Sequence, residues 1–159
     1  NFPPLAEAGV RIKYQNKAVC DVNKSLVAHQ KMDEQVAILK LYPGITESVL
    51  NAFLDSGCKG IVLETFGSGN ATTQAWFLNA LKGAINKGVV VLNISQCLAG
   101  SVSQGLYATS SELEKIGVVS GGDMTTEAAL TKLMFLLGQK LSIEKIKSQL
   151  SLSLRGELS

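Results

Sequence analysis

Gly60-Ile61-Val62-Leu63-Glu64-Thr65-Phe66-Gly67-Ser68-Gly69-Asn70 is an apolar, β-branched run that stops on a glycine turn, and a helical pattern opens at Thr72. Strand, tight turn and helix start form the repeating unit of parallel α/β sheets, and ligands in such folds gather at the carboxyl ends of the strands. Two glycines let the backbone turn sharply and approach another molecule closely. Asn70 adds a carboxamide, both donor and acceptor, at the mouth of that turn.

The same alternation extends outward in both directions. Upstream, Val36-Ala37-Ile38-Leu39-Lys40-Leu41 reads as a short strand punctuated by Pro43-Gly44. Thr46 is placed to cap a helix running to about Ser56, with Val49, Leu50, Phe53 and Leu54 at core spacing. Downstream, Thr72 to Asn86 is a helix with Trp76, Phe77, Ala80, Leu81 and Ile85 facing inward. Val89 to Ile94 is β-branched and uncharged, as an interior strand covered on both faces should be. Ser95 to Ala108 reads as a long loop, and the capping-box spacing of Ser111 and Glu114 predicts a short helix to Lys115. Gly117 to Ser120 is a brief strand. Asp123 is placed to cap a helix over Thr125 to Leu137, with Ala128 or Ala129, Leu133, Leu136 and Leu137 inward. Ser142 to Leu150 is a last amphipathic helix, and Leu154-Arg155-Gly156-Glu157 a tail.

The N-terminal part is less regular. Asn1-Phe2-Pro3-Pro4 is an extended lead-in, Leu5 to Gly9 one helical turn, and Val10 to Tyr14 a half-exposed edge strand. Asn16 to Asp33 is polar and patternless, a loop whose length points either to mobility or to a surface that another domain covers. Strands alternating with helices over 159 residues predict one small three-layer α/β/α domain, its sheet of about four parallel strands.

Composition narrows the function. A hydrophobic share of 46% against 18% charged residues excludes disorder, and no apolar run is long enough for a membrane span. A net charge of +2, with scattered lysines, does not point to nucleic acid. Cys20, Cys58 and Cys97 are odd in number and lack metal-type spacing, which fits a reducing cytoplasm. Thr72 stands where a dinucleotide fingerprint needs its third glycine, no G-K-[ST] follows a glycine loop, and no strong strand ends in a receiver-type aspartate. His29 is the only histidine, so triads and histidine-rich metal sites have little to build on, and it reads as solvated in its loop. Cys97, as an isolated thiol, reads as a small buried side chain. The residues alone leave two readings of Gly67-Ser68-Gly69-Asn70 open: a turn chosen for its backbone angles, or a binding turn.

Several stretches taken together carry a family likeness. Gly67-Ser68-Gly69-Asn70-Ala71 after an apolar strand resembles the G-x-G-N-A turn of bacterial type I (cytoplasmic) L-asparaginases. Val91-Leu92-Asn93-Ile94-Ser95-Gln96-Cys97 with Gly100 resembles that family's V-N-x-[ST]-Q-C…G segment. Tyr107-Ala108-Thr109, Gly117 to Thr125, Glu127-Ala128 and Thr131-Lys132-Leu133 resemble its Y-A-T…G-V-I-x-G-x-D-M-T-x-E-A…T-K-L run. Pro43-Gly44-Ile45 and Leu154 to Leu158 also fit, so the likeness covers essentially the whole chain.

The resemblance implies hydrolysis of L-asparagine to aspartate and ammonia through a threonine acyl-enzyme, with no metal or organic cofactor. The family's paired threonine motifs, T-G-G-T-like and H-G-T-D-T-like, do not occur here, so the chain resembles the smaller C-terminal domain and is expected to be inactive alone. It implies an N-terminal catalytic domain as partner, assembly as a homodimer or homotetramer, and a substrate-binding turn at Gly69 and Asn70. Asn70 is the residue that would reach the active site of a neighbouring subunit, contacting the substrate's α-amino group or the catalytic lysine–aspartate pair. Some family members bind an effector asparagine through a strand arginine and the Q-C cysteine. Cys97 matches that cysteine, but Glu64 stands in the arginine's place, and an acid cannot pair with an effector's carboxylate. The rival reading is a non-catalytic α/β module that senses a small amino acid at the same turn.

Overall fold

The computed structural model describes residues 4–14, 25–98, 100–103 and 108–158. The lead-in at Asn1 to Pro3, part of the Asn16–Asp33 loop with Cys20, and part of the Ser95–Ala108 loop with Tyr107 lie outside the described residues.

Four strands, β3 (Val36–Lys40), β4 (Gly60–Thr65), β5 (Val90–Ser95) and β6 (Val119–Ser120), lie side by side in chain order and all run parallel. Their connections are α1 (Glu47–Leu54), α2 (Ala75–Asn86) and α3 (Ala108–Lys115). Parallel crossovers are right-handed, so three that step the same way across a sheet must all lie on one face. Leu50, Phe77, Leu81 and Leu113 from these helices accordingly share one buried cluster with Leu39, Ile61, Leu63 and Val91. The chain then turns back after β6. Helices α4 (Thr126–Gly138) and α5 (Ile143–Leu150) cover the opposite face, where Ala129, Leu133, Leu136, Ile146 and Leu150 pack on Val62, Leu92 and Ile94. Successive residues of β4 thus feed the two clusters alternately, which is the period-2 rule applied to a strand buried on both sides. The result is the three-layer α/β/α domain with four parallel strands.

Some local expectations change. Ala6–Ala8 is a strand, β1, paired antiparallel with β2 (Ile12–Tyr14), where helix-forming alanine and glutamate suggest a helical turn. Three residues are too few to nucleate a helix, and cross-strand pairing wins. Helix α2 begins at Ala75 rather than Thr72. Ser111 lies inside α3, not at its start. The cap of α4 is Thr125, whose hydroxyl accepts from the Ala128 N–H at 3.3 Å, where Asp123 is the sequence expectation. The C-terminal tail is anchored: Glu157 pairs with Lys132 of α4 at 2.7 Å. Among the described residues no helix is long and apolar enough to cross a membrane.

Candidate functional site at the carboxyl ends of the strands

The turn after β4 closes tightly on itself. Phe66 and Asn70 exchange backbone hydrogen bonds of 2.9 and 2.8 Å, and the Gly69 N–H also donates to the Phe66 carbonyl at 3.1 Å. Gly67 and Gly69 have φ of +52° and +105°, and the second angle is one that only glycine takes without strain. Gly69 is buried while Asn70 is half-buried, so the turn is fixed at Gly69 and only part of Asn70 is open to solvent. The Asn70 amide nitrogen lies over Gly67, 3.9 Å from where a Cβ there would stand.

Beneath the turn lies a polar layer on the face covered by α1, α2 and α3. Thr65 and Asn93, both fully buried, pair through a hydroxyl-to-carbonyl hydrogen bond of 2.6 Å. The Asn93 amide in turn donates to the Gly69 carbonyl at 3.4 Å. Ser95 Oγ donates to the Gly67 carbonyl at 2.5 Å and accepts from the Cys97 N–H at 3.0 Å. Gln96 Nε2 donates to the carbonyls of Leu41 and Glu64 at 2.6 and 2.9 Å, tying together the ends of β3 and β4. Among the described residues no buried side-chain polar atom is left unsatisfied, and a fully satisfied buried network rigidifies what it holds. The Asn93-Ile94-Ser95-Gln96 stretch therefore has a physical meaning as scaffold for the glycine turn. Its polar residues at a strand end signal this role, but which carbonyls they reach is visible only once the strands are side by side.

Glu64 points to the other face of the sheet. It is buried at 7% exposure, receives the Thr126 hydroxyl at 2.5 Å and pairs with Lys40 at 3.5 Å. Cys97 is exposed, contrary to the expectation of a buried thiol, because it lies past the end of β5 where no layer covers it; Cys58 is the buried one. His29 is exposed as expected, its ring edge-on to Phe135 and its Nδ1 3.1 Å from the Gln139 side-chain oxygen.

Lys132 carries no functional signal of its own in the sequence, yet it is only 6% exposed. Its ammonium reaches Glu157 and the carbonyls of Leu150 and Leu152 at 3.0 and 2.6 Å. Only its burial is legible there: Ala129, Lys132, Leu133 and Leu136 are at core spacing on one helix stripe. Burial raises the Glu157 carboxyl pKa, but the bond from Lys132 and those from backbone N–H groups outweigh it and hold the group at about 2. This pair floors a cavity of about 890 Å³ between α4, α5 and the tail. The cavity has mainly apolar walls and an internally neutralised floor, with His29, Lys145 and Arg155 also along its lining; the strand ends, where ligands of parallel α/β folds gather, are the better candidate.

A parallel α/β domain that holds a rigid, carboxamide-bearing glycine turn at the carboxyl ends of its strands is the class defined by these observations. Residues 35–150 match the family model of the glutaminase/asparaginase C-terminal domain, and the chain belongs to that family. Over its whole length it is 41% identical to L-asparaginase 1 of Escherichia coli K12, covering 47% of that protein. It is 43% identical over 103 residues to the 60 kDa lysophospholipase of Homo sapiens, covering 64% of this chain and 18% of the relative. L-asparaginase I of Vibrio cholerae superposes over the whole chain with a TM-score of 0.90 at 40% identity, and the chain covers 48% of it. The chain thus spans about half the length of the L-asparaginases it matches, and less of the lysophospholipase.

Proposed function

We propose that residues 1–159 are the C-terminal domain of an L-asparaginase, preceded in the full-length protein by an N-terminal domain that carries the nucleophilic threonines. The full-length enzyme hydrolyses L-asparagine to L-aspartate and ammonia as a cytoplasmic homo-oligomer, dimer or tetramer, without a cofactor. Whole-chain identity to L-asparaginase 1 supports the reaction, and the free Cys58 and Cys97 are compatible with the compartment.

Within that enzyme, Gly69 and Asn70 bind substrate across the subunit interface. The Asn70 carboxamide hydrogen-bonds the substrate's α-amino group or the lysine–aspartate pair of the neighbouring active site. The observation that carries this reading is the placement of the turn: a glycine backbone held from beneath at the carboxyl end of β4, with the half-buried Asn70 at its mouth. A preorganised amide costs little to hold in place, so its bond is realised in full when the substrate arrives. We read Glu64 and Cys97, the candidate allosteric pair, as poorly suited to hold an effector asparagine. The Glu64 carboxylate is already engaged by Thr126 and Lys40 and has the wrong sign for an effector's carboxylate.

The test is Asn70→Ala in the full-length enzyme, assayed by ammonia release from L-asparagine with L-glutamine beside it. A hydrogen bond to a charged group is worth about 1.5–3 kcal/mol, so kcat/KM should fall roughly ten- to a hundredfold. An unchanged kcat/KM would remove Asn70 from the active site.

A further inference from the structure

We propose that Val102 is a positioning residue for Asn70, the tip of a brace that fixes the glycine turn from the side; the inference rests on the active-site reading of Asn70. Although it lies outside any helix or strand, Val102 is only 5% exposed. Its N–H donates to the Gly122 carbonyl at 2.8 Å, and its own carbonyl accepts from Ser120 Oγ at 3.1 Å. The next residue, Ser103, donates its N–H to the Ser68 carbonyl at 3.1 Å. Residues 102 and 103 thus bridge the end of β6 to the turn after β4.

The isopropyl group meets the turn at one point. A Cβ built on Gly69 would stand 2.8 Å from Val102 Cγ1 and 3.5 Å from its Cβ, so the side chain abuts the Gly69 α-carbon next to Asn70. The brace is backed in turn. Leu158 of the anchored tail presses on Gly122, its Cδ1 2.5 Å from where a Cβ there would stand. From beneath, the Gly69 carbonyl is held by the long Asn93 bond of 3.4 Å. Apolar contact from Val102 therefore limits sideways motion at the residue that sets the direction of the Asn70 side chain. A displacement near 1 Å at a reacting group can cost on the order of a hundredfold in rate, so a missing branched side chain here matters without touching substrate.

Non-additivity is the test, in the full-length protein acting on L-asparagine. Val102→Ala should lower kcat/KM roughly tenfold, while Val102→Ile, which keeps the branched apolar contact, should retain most activity. In the Asn70→Ala background, Val102→Ala should have no further effect, because the group it positions is gone. Multiplying losses in the double variant, or full activity of Val102→Ala alone, would overturn the brace while leaving the Asn70 reading intact. If Asn70→Ala itself were silent, the active-site reading would fail first and the brace with it. Should Val102→Ala melt below the assay temperature, Val102→Cys removes one branch only, and a smaller loss with the same non-additivity is expected.

Discussion

Gly69 and Asn70 are adjacent, yet the structure predicts different failures for them. Asn70→Ala removes a half-buried amide and leaves the backbone alone, so activity should fall with a smaller drop in melting temperature than at Gly69. Gly69→Ala puts a Cβ 2.8 Å from Val102 and 3.3 Å from the Asn93 amide, at a φ of +105°. Strain of about 1–3 kcal/mol at such an angle adds to an overpacking cost of about 1–3 kcal/mol. At roughly 2–4 °C per kcal/mol for a domain this size, the melting temperature should drop by at least about 4 °C. Calorimetry on the two variants separates a positioning glycine from a contacting asparagine; equal melting temperatures would show that the turn yields easily. At this scale the turn was legible in the sequence because glycine and asparagine announce local backbone needs. Thr65, Asn93 and Val102, which hold it, were not, because their partners lie about 24 to 33 positions away along the chain.

Elements were read well where periodicity had length to work with. Strands β3, β4 and β5 and helices α1, α2, α4 and α5 follow from apolar spacing, because each buries a continuous face. The three-residue strands β1 and β2 are below the length at which a pattern can be told from chance, and their side chains are exposed apart from half-buried Ala6. The tail was undervalued because one ion pair anchors it. Glu157 has a folded-state pKa of about 2 against an ordinary 4.5, so its ionised form stabilises the fold. That contribution is complete above about pH 5 and is lost as pH falls from 4.5 toward 2. Glu157→Gln leaves Lys132 charged and buried with two carbonyls for company. It should cost about 3 kcal/mol at pH 7, and the variant should lose the acid-side decline that belongs to this group. Urea melts of both proteins between pH 3 and 7 check this, and parallel curves with the same acid slope would refute the clasp.

The whole molecule gives the turn its direction. Four parallel strands aim every carboxyl end the same way, so Asn70, Ser95, Gln96 and the start of α4 share one edge of the sheet. On the proposed reading the nucleophile lies in the N-terminal domain, and this domain contributes to catalysis by presenting that edge to an active site built elsewhere. If the presentation is to a neighbouring subunit, defects in the two parts of the site must complement. Consider full-length Asn70→Ala mixed with a full-length variant lacking its nucleophilic threonine, after dissociation and reassembly. In a mixed pair, the intact threonine of one subunit faces the intact Asn70 of the other, and both defects fall into the remaining site. Random pairing of equal amounts makes about half the dimers mixed, each with one restored site, so about a quarter of wild-type activity should return. Were Asn70 to serve its own subunit's active site, each subunit would keep its single defect, and the mixture would show only the mean of the two parents. Ammonia release measured before and after exchange distinguishes the two arrangements, and recovery above that mean requires the side chain to cross the interface.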